Sequence, residues 1–158
     1  MKADATILAQ IDRAFGHVAR PELFTVADGD PETMDYEALL SSKDRDSLTL
    51  EDINHPGCHP MTECLPPGLA YYFPALARLA LVQPTDPSNW YASLLLDKLR
   101  FHEDGNDFYR YCSDEQRGAV AGLLRHILST RSSDVSESLD PEDFVHCLKA
   151  WDVGKLVP

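Results

Sequence analysis

The chain has 158 residues, 26 Asp and Glu against 14 Lys and Arg, and a formal net charge of −12. At 44% hydrophobic and 9% aromatic it is too apolar for a disordered chain and long enough to bury a core, and no apolar run reaches the ~20 residues of a membrane span. The acid excess opposes non-specific attraction to DNA, RNA or an anionic membrane, so neither nucleic acid nor membrane is an expected partner.

In chain order, Met1 to Gln10 carries one Lys and no continuous apolar run, which predicts no secretory signal. Ile7, Leu8, Ile11, Phe15 and Val18 form one helical stripe that ends at Pro21. Leu23 to Val26 is the best strand candidate and Asp107 to Cys112 a poorer one. Asp30-Pro31, Asp86-Pro87 and Asp140-Pro141 each read as a helix start, with Asp as N-cap and Pro at the first helical position. They predict helices over 32–41, 88–101 and 142–151. Thr49 to Asp52 reads as a short capped turn stopped by Pro56-Gly57. Pro66-Pro67-Gly68 opens a run to Leu81 in which Pro74 is expected to kink or divide the helix.

Trp90, Leu94, Leu95, Leu96, Leu99 and Phe101 are apolar almost all round, which predicts a central, buried helix. Ser113-Asp-Glu-Gln116 fits a capping box ahead of Val120, Leu123, Leu124, Ile127 and Leu128. Gly118 and Gly122 fall outside that stripe, as either a close-approach face or a merely weakened one. The pattern predicts a mainly α, compact single domain over 1–158. It would be a bundle of about six helices with a long acidic, partly irregular segment and at most one short strand pair.

The charge is concentrated. Between Glu22 and Glu63 stand eleven acids and two bases, Lys43 and Arg45, which leaves the remainder nearly balanced. Such runs usually only solvate a face. The other reading is a docking surface for a basic protein, with Asp28, Asp30, Glu32, Asp35, Glu37, Asp44, Asp46, Glu51 and Asp52 as the partner-binding residues.

His55, Cys58, His59 and Cys64 lie within ten residues and are the types zinc takes. The spacing is irregular, adjacent Cys58 and His59 do not both easily face one metal, and no second half of a zinc motif follows. A Cys–His nucleophilic pair there would have acidic neighbours that raise a thiol pKa, and no third orienting residue can be named. Asp143 and His146 lie one helical turn apart, a common surface pair. Cys112 and Cys147 sit in apolar patterns as small hydrophobes. Free thiols in a cytoplasmic protein are expected, with a short Cys58–Cys64 bridge as the alternative. No phosphate loop, nucleophile elbow or HExxH motif occurs, and no cofactor is expected.

His55-Pro-Gly-Cys-His-Pro and Pro67-Gly-Leu-Ala-Tyr-Tyr-Phe-Pro-Ala-Leu-Ala-Arg-Leu-Ala-Leu81 together resemble a family of small bacterial proteins catalogued as a domain of unknown function. That family reads Asn-Pro-Gly-Trp-Asp-Pro and then Tyr-Tyr-Phe-Pro-Ala-Leu-Ala-Arg-Leu. Ile11 to Phe15 and Ser113 to Gln116 are similar to two of its helices. The Cys-rich knot of many members is missing where this chain has Val26 to Glu32, and Cys58 and His59 replace the family's Trp and Asp. The resemblance implies one compact bacterial domain and brings no reaction, substrate or cofactor.

The function expected from the sequence is a non-catalytic acidic protein-binding module. Its concrete form is an immunity- or antitoxin-type inhibitor that occludes a basic partner such as a toxin. One alternative is a small metal-binding or Cys/His hydrolytic protein centred on residues 55–64. The other is a structural subunit of a bacterial complex, docking through the Tyr71-Tyr72-Phe73 turn. Oligomeric state stays open.

Overall fold

Prolines and side-chain caps set most of the helix starts. The computed structural model describes residues 2–152; Met1 and residues 153–158 of the expected 1–158 domain lie outside them. The described residues hold nine α-helices: α1 (Lys2–Phe15), α2 (Pro31–Ser42), α3 (Leu50–Ile53), α4 (Pro66–Ala80), α5 (Tyr91–Leu99), α6 (Asp107–Tyr111), α7 (Asp114–Thr130), α8 (Ser132–Ser138) and α9 (Pro141–Trp151). Two 3-10 turns cover Pro60–Thr62 and Pro87–Asn89. No named strand occurs among these residues, only isolated bridges at His55–Cys58 and His102–Gly105.

The chain is therefore mainly α, with more helices than the six expected. α6 and α8 have five and seven residues, and α3 is the capped turn at Thr49. Asp107 to Cys112, the poorer strand candidate, is α6 and its C-cap, with the Asn106 side chain accepting from Tyr109 N at the N-terminus. The Leu23 to Val26 candidate is an irregular stretch.

The local caps work as their chemistry dictates. Asp30 accepts from the amides of Glu32 and Thr33, and Asp140 from that of Glu142. Ser113 and Gln116 close a reciprocal capping box, as do Thr49 and Asp52. At Asp86 the cap opens only the 3-10 turn, and α5 starts afresh after Trp90. Trp90 is buried with extended backbone, and its indole Nε1 donates to Ala80 O at 3.1 Å. Seating that ring breaks the single helix expected over 88–101.

Pro74 does not divide α4, which runs from Pro66 to Ala80. α4, rather than α5, is the central helix: eleven of its fifteen residues are buried, and it packs against α1, α5 and α6. α5 turns Asp97 to solvent, and Phe101 beyond it is exposed. α7 packs against α1, α8 and α9, and one contiguous core runs from Ile7 to Trp151. Aromatic rings link its parts, with Phe15 against Phe73 at 4.6 Å and Phe108 against Trp151 at 5.9 Å between centroids.

Asp4 ties the bundle's edge together. Its carboxylate accepts from Arg131 Nη2 at 3.0 Å and from His126 Nε2 at 2.6 Å, while Arg131 also donates to Leu81 O. The hydrogen bond from Arg131 holds the Asp4 carboxyl down at about 2, against the opposing effect of burial.

The two glycines of α7 differ. Nothing lies within 4 Å of a Cβ built on Gly118, whereas one on Gly122 would meet Ile7 Cδ1 at 3.3 Å. Gly122 is thus the close-approach position, facing α1. Gly118 only weakens an exposed turn.

Candidate docking site

The segment between α1 and α2 has no regular hydrogen-bond ladder, so its amides need other partners. Glu37, reaching back from α2, supplies them. Its carboxylate accepts from Phe24 N at 2.9 Å, Thr25 N at 2.8 Å, Thr25 Oγ1 at 2.9 Å and Ser41 Oγ at 3.0 Å. Desolvation opposes ionisation, but these hydrogen bonds outweigh it and hold the carboxyl below its ordinary value. Leu65 N donates to Phe24 O at 2.7 Å and pins the segment from the α4 side.

With Phe24 and Thr25 drawn inward, the residues on either side face solvent. Leu23 is 51% exposed, Val26 52%, and Met34 on the first turns of α2 60%. These are three of the six large exposed hydrophobics among the described residues, and all three line one shallow groove of about 280 Å³ with Ala27 and Ala38. Single exposed apolar residues are ordinary; a contiguous group rimmed by polar residues marks an interaction surface.

The rim is acidic. Asp28 and Asp30 stand in the loop before α2, and Glu22, Glu32 and Asp35 are exposed beside it. Asp28 caps the amide of Asp30, and Glu32 accepts from the Tyr36 hydroxyl at 2.6 Å. None of these five forms an ion pair among the described residues.

The bases nearest in sequence are occupied. Lys43 pairs with Asp52 at 3.4 Å. Arg45 donates to Tyr71 O and Val18 O at 2.7 and 2.6 Å, and Arg20 to Lys43 O at 2.8 Å. Arg45 also lies over the Tyr71 ring.

The nine carboxylates expected to dock a partner are thus not one surface. Glu37 is the carboxylate that lines the groove, but it is committed to Phe24, Thr25 and Ser41, and Asp52 is committed to the Thr49 box and Lys43. Asp44 folds its own turn, accepting from the amides of Asp46 and Ser47, which lower its pKa. Asp44, Asp46, Glu51 and Asp52 lie beyond the C-terminus of α2. A helix of twelve residues, about 18 Å long, separates them from Asp28 and Asp30. Asp28, Asp30, Glu32 and Asp35 remain as exposed acids beside the groove residues in sequence. Sequence reasoning missed Leu23, Val26 and Met34 as site residues, and their adjacency to unpaired acids was the available signal.

The Cys/His stretch does not assemble. All four cysteines are free. His55 is exposed with its Nδ1 3.0 Å from Pro56 O, whereas Cys64 is buried beside Phe24 and Gly68. No group of three or more His, Cys, Asp or Glu positioned to hold a metal occurs among the described residues. Burial pushes the Cys64 thiol up to about 12, so it is neutral near pH 7 and a poor nucleophile or ligand. Tyr72 and Phe73 are buried too, and the Tyr72 hydroxyl donates to Leu40 O and Lys43 O, so the Tyr71-Tyr72-Phe73 turn is not an exposed docking patch.

No helix among the described residues is long and apolar enough to cross a membrane. No protein-family model, curated protein or solved structure matches the chain.

Proposed function

We propose that the protein is a docking module whose groove between residues 23–27 and α2 receives a basic, apolar-anchored segment of a partner protein. One observation carries the reading: Leu23, Val26 and Met34 are exposed together in one groove, and the exposed acids that flank them along the chain, Glu22, Asp28, Asp30 and Asp35, form no ion pair among the described residues. Apolar contact in the groove supplies affinity, while Glu22, Asp28, Asp30 and Asp35 steer a Lys- or Arg-bearing partner and fix its orientation. An inhibitor of the immunity or antitoxin kind, covering the basic rim of a partner's active site, is the concrete form of this activity. The resemblance of Tyr71 to Leu81 to the bacterial family adds a bacterial setting to the reading and no chemistry.

The test uses a synthetic amphipathic helix with Leu on one face and Lys on the other, titrated into ¹⁵N-labelled protein. Shifts confined to residues 23–27 and 33–38, and lost in Met34→Asp, support the reading. Shifts spread over the acidic surface, or unchanged by Met34→Asp, contradict it. Met34 is 60% exposed, so this substitution leaves the core intact.

A further inference from the structure

A second concave region lies between α4, α5 and the loops around residues 59–66 and 102–107, and it meets the docking groove only at Val26. It has two lobes. One, of about 290 Å³, is walled by Ile53, Met61, Tyr91, Leu94 and Leu95. The other, of about 340 Å³, is polar and bordered by Glu63, Asn106, Asp107 and Arg110. Thr62, Leu69, Asp97, Lys98 and His102 line both and form the neck.

Most polar groups here already have partners. Asn106 donates to Lys98 O and Arg100 O and accepts from Tyr109 N. Arg110 is held by Asp107 and by Asp104 O, and Asp97 pairs with Arg100 at 3.7 Å. The Glu63 and Asp104 carboxylates and the His102 imidazole have no side-chain hydrogen bond or ion pair among the described residues, and of the lining Lys and Arg side chains Lys98 is the one left without an acid. Lys98 Nζ donates to Thr62 O at 2.7 Å and has no carboxylate within ion-pair distance among the described residues. Its burial disfavours the charged form, which an anion would restore. The first lobe offers mainly apolar walls, Ile53, Met61, Tyr91, Leu94 and Leu95, which suit a hydrocarbon body.

We propose that this cleft binds a small amphipathic monocarboxylate, its carboxylate on Lys98 at the neck and its hydrocarbon body in the lobe lined by Met61, Leu94 and Leu95. The size follows from the lobe: at ~30 Å³ for each water-sized group, about ten heavy atoms fill it. The charge follows from Lys98: Asp97 is paired with Arg100 and Asp107 with Arg110, which leaves Lys98 as the one lining Lys or Arg without a carboxylate partner among the described residues. Glu63 and Asp104 oppose any anion, and a dianion such as a phosphate monoester twice as strongly as a monocarboxylate. The proposal does not rest on the docking groove.

Octanoate is the probe and 1-octanol its uncharged counterpart, each titrated into the full chain at pH 7 by calorimetry and ¹⁵N shifts. Octanoate is expected to saturate with its shifts at residues lining the cleft. Losing one charge-assisted contact, in 1-octanol or in Lys98→Met, is expected to weaken binding about tenfold. Leu94→Trp, which fills the apolar lobe from a half-buried position, abolishes both. Absence of saturable octanoate binding up to about 10 mM overturns the proposal. So does equal affinity for octanoate and 1-octanol on the unaltered chain, a comparison that stands even if a variant fails to fold. Octanoate binding unchanged in folded Lys98→Met and Leu94→Trp overturns it as well.

Discussion

Removing the Glu37 carboxylate tests whether the docking segment is held as described. The group accepts two backbone amides, Phe24 N and Thr25 N, and two hydroxyls, Thr25 Oγ1 and Ser41 Oγ. Phe24 and Thr25 are both buried, so Glu37→Ala leaves two amides without a partner inside the protein. Each buried donor so orphaned costs about 1–3 kcal/mol, reduced where water can enter, which places Glu37→Ala at about 3 kcal/mol. Glu37→Gln keeps one oxygen and loses the charge, so it falls between Ala and wild type.

The pH dependence has a definite sign. Folding lowers the Glu37 pKa below its ordinary 4.5, so the contribution is present above that value and declines as pH falls through the folded pKa. Urea unfolding followed by circular dichroism should show the full wild-type to Ala gap at pH 7 and a narrowing gap below 4.5. Glu37→Ala within about 0.5 kcal/mol of wild type, or a gap independent of pH, would refute the assignment.

Two further stability experiments address the bundle itself. Asp4→Asn should cost about 2 kcal/mol at pH 7, because the carboxyl falls from an ordinary 3.8 to about 2 on folding. That cost should shrink as acid protonates Asp4, and a gap of constant size across the acid range in urea titrations would contradict the Arg131 contact. In α7, Gly118→Ala should raise stability by up to about 1 kcal/mol, since its Cβ meets nothing. Gly122→Leu should lower it by about 2 kcal/mol by pushing on Ile7 and Gln10, and equal melting shifts for both would contradict the α1–α7 packing.

What could be read from the sequence was local chemistry. Asp30, Asp140, Thr49 and Ser113 cap the helices their spacing predicts, because a cap needs only side chains and amides two or three residues apart. What could not be read was set by distant partners. Leu23 to Val26 has strand-like residues, yet its amides go to a carboxylate twelve or thirteen positions away. Trp90 lies in an apolar helical pattern, yet its indole is claimed by Ala80 and the helix starts after it. α8 has one buried apolar residue, Val135, too few for a periodicity.

The site divides in the same way. Acid content gave the exposed carboxylates Asp28, Asp30, Glu32 and Asp35, because charged side chains rarely bury. It also swept in Glu37 and Asp52, whose internal partners no composition count registers. The groove between them depends on Val26 and Met34 meeting across a turn, which is tertiary information.

The central claim is that the acids beside the groove dock a partner while those beyond the far end of α2 do not. The Lys/Leu helix should be titrated, across a range of salt, against wild type, Asp28→Lys/Asp35→Lys and Asp44→Lys/Asp46→Lys. Both pairs change net charge by the same amount, so only position differs. The account predicts that reversal at the groove weakens binding and flattens its salt dependence, with reversal at residues 44 and 46 close to wild type. Equal losses from the two pairs would mean that the probe senses only net charge, and the docking groove would be wrong.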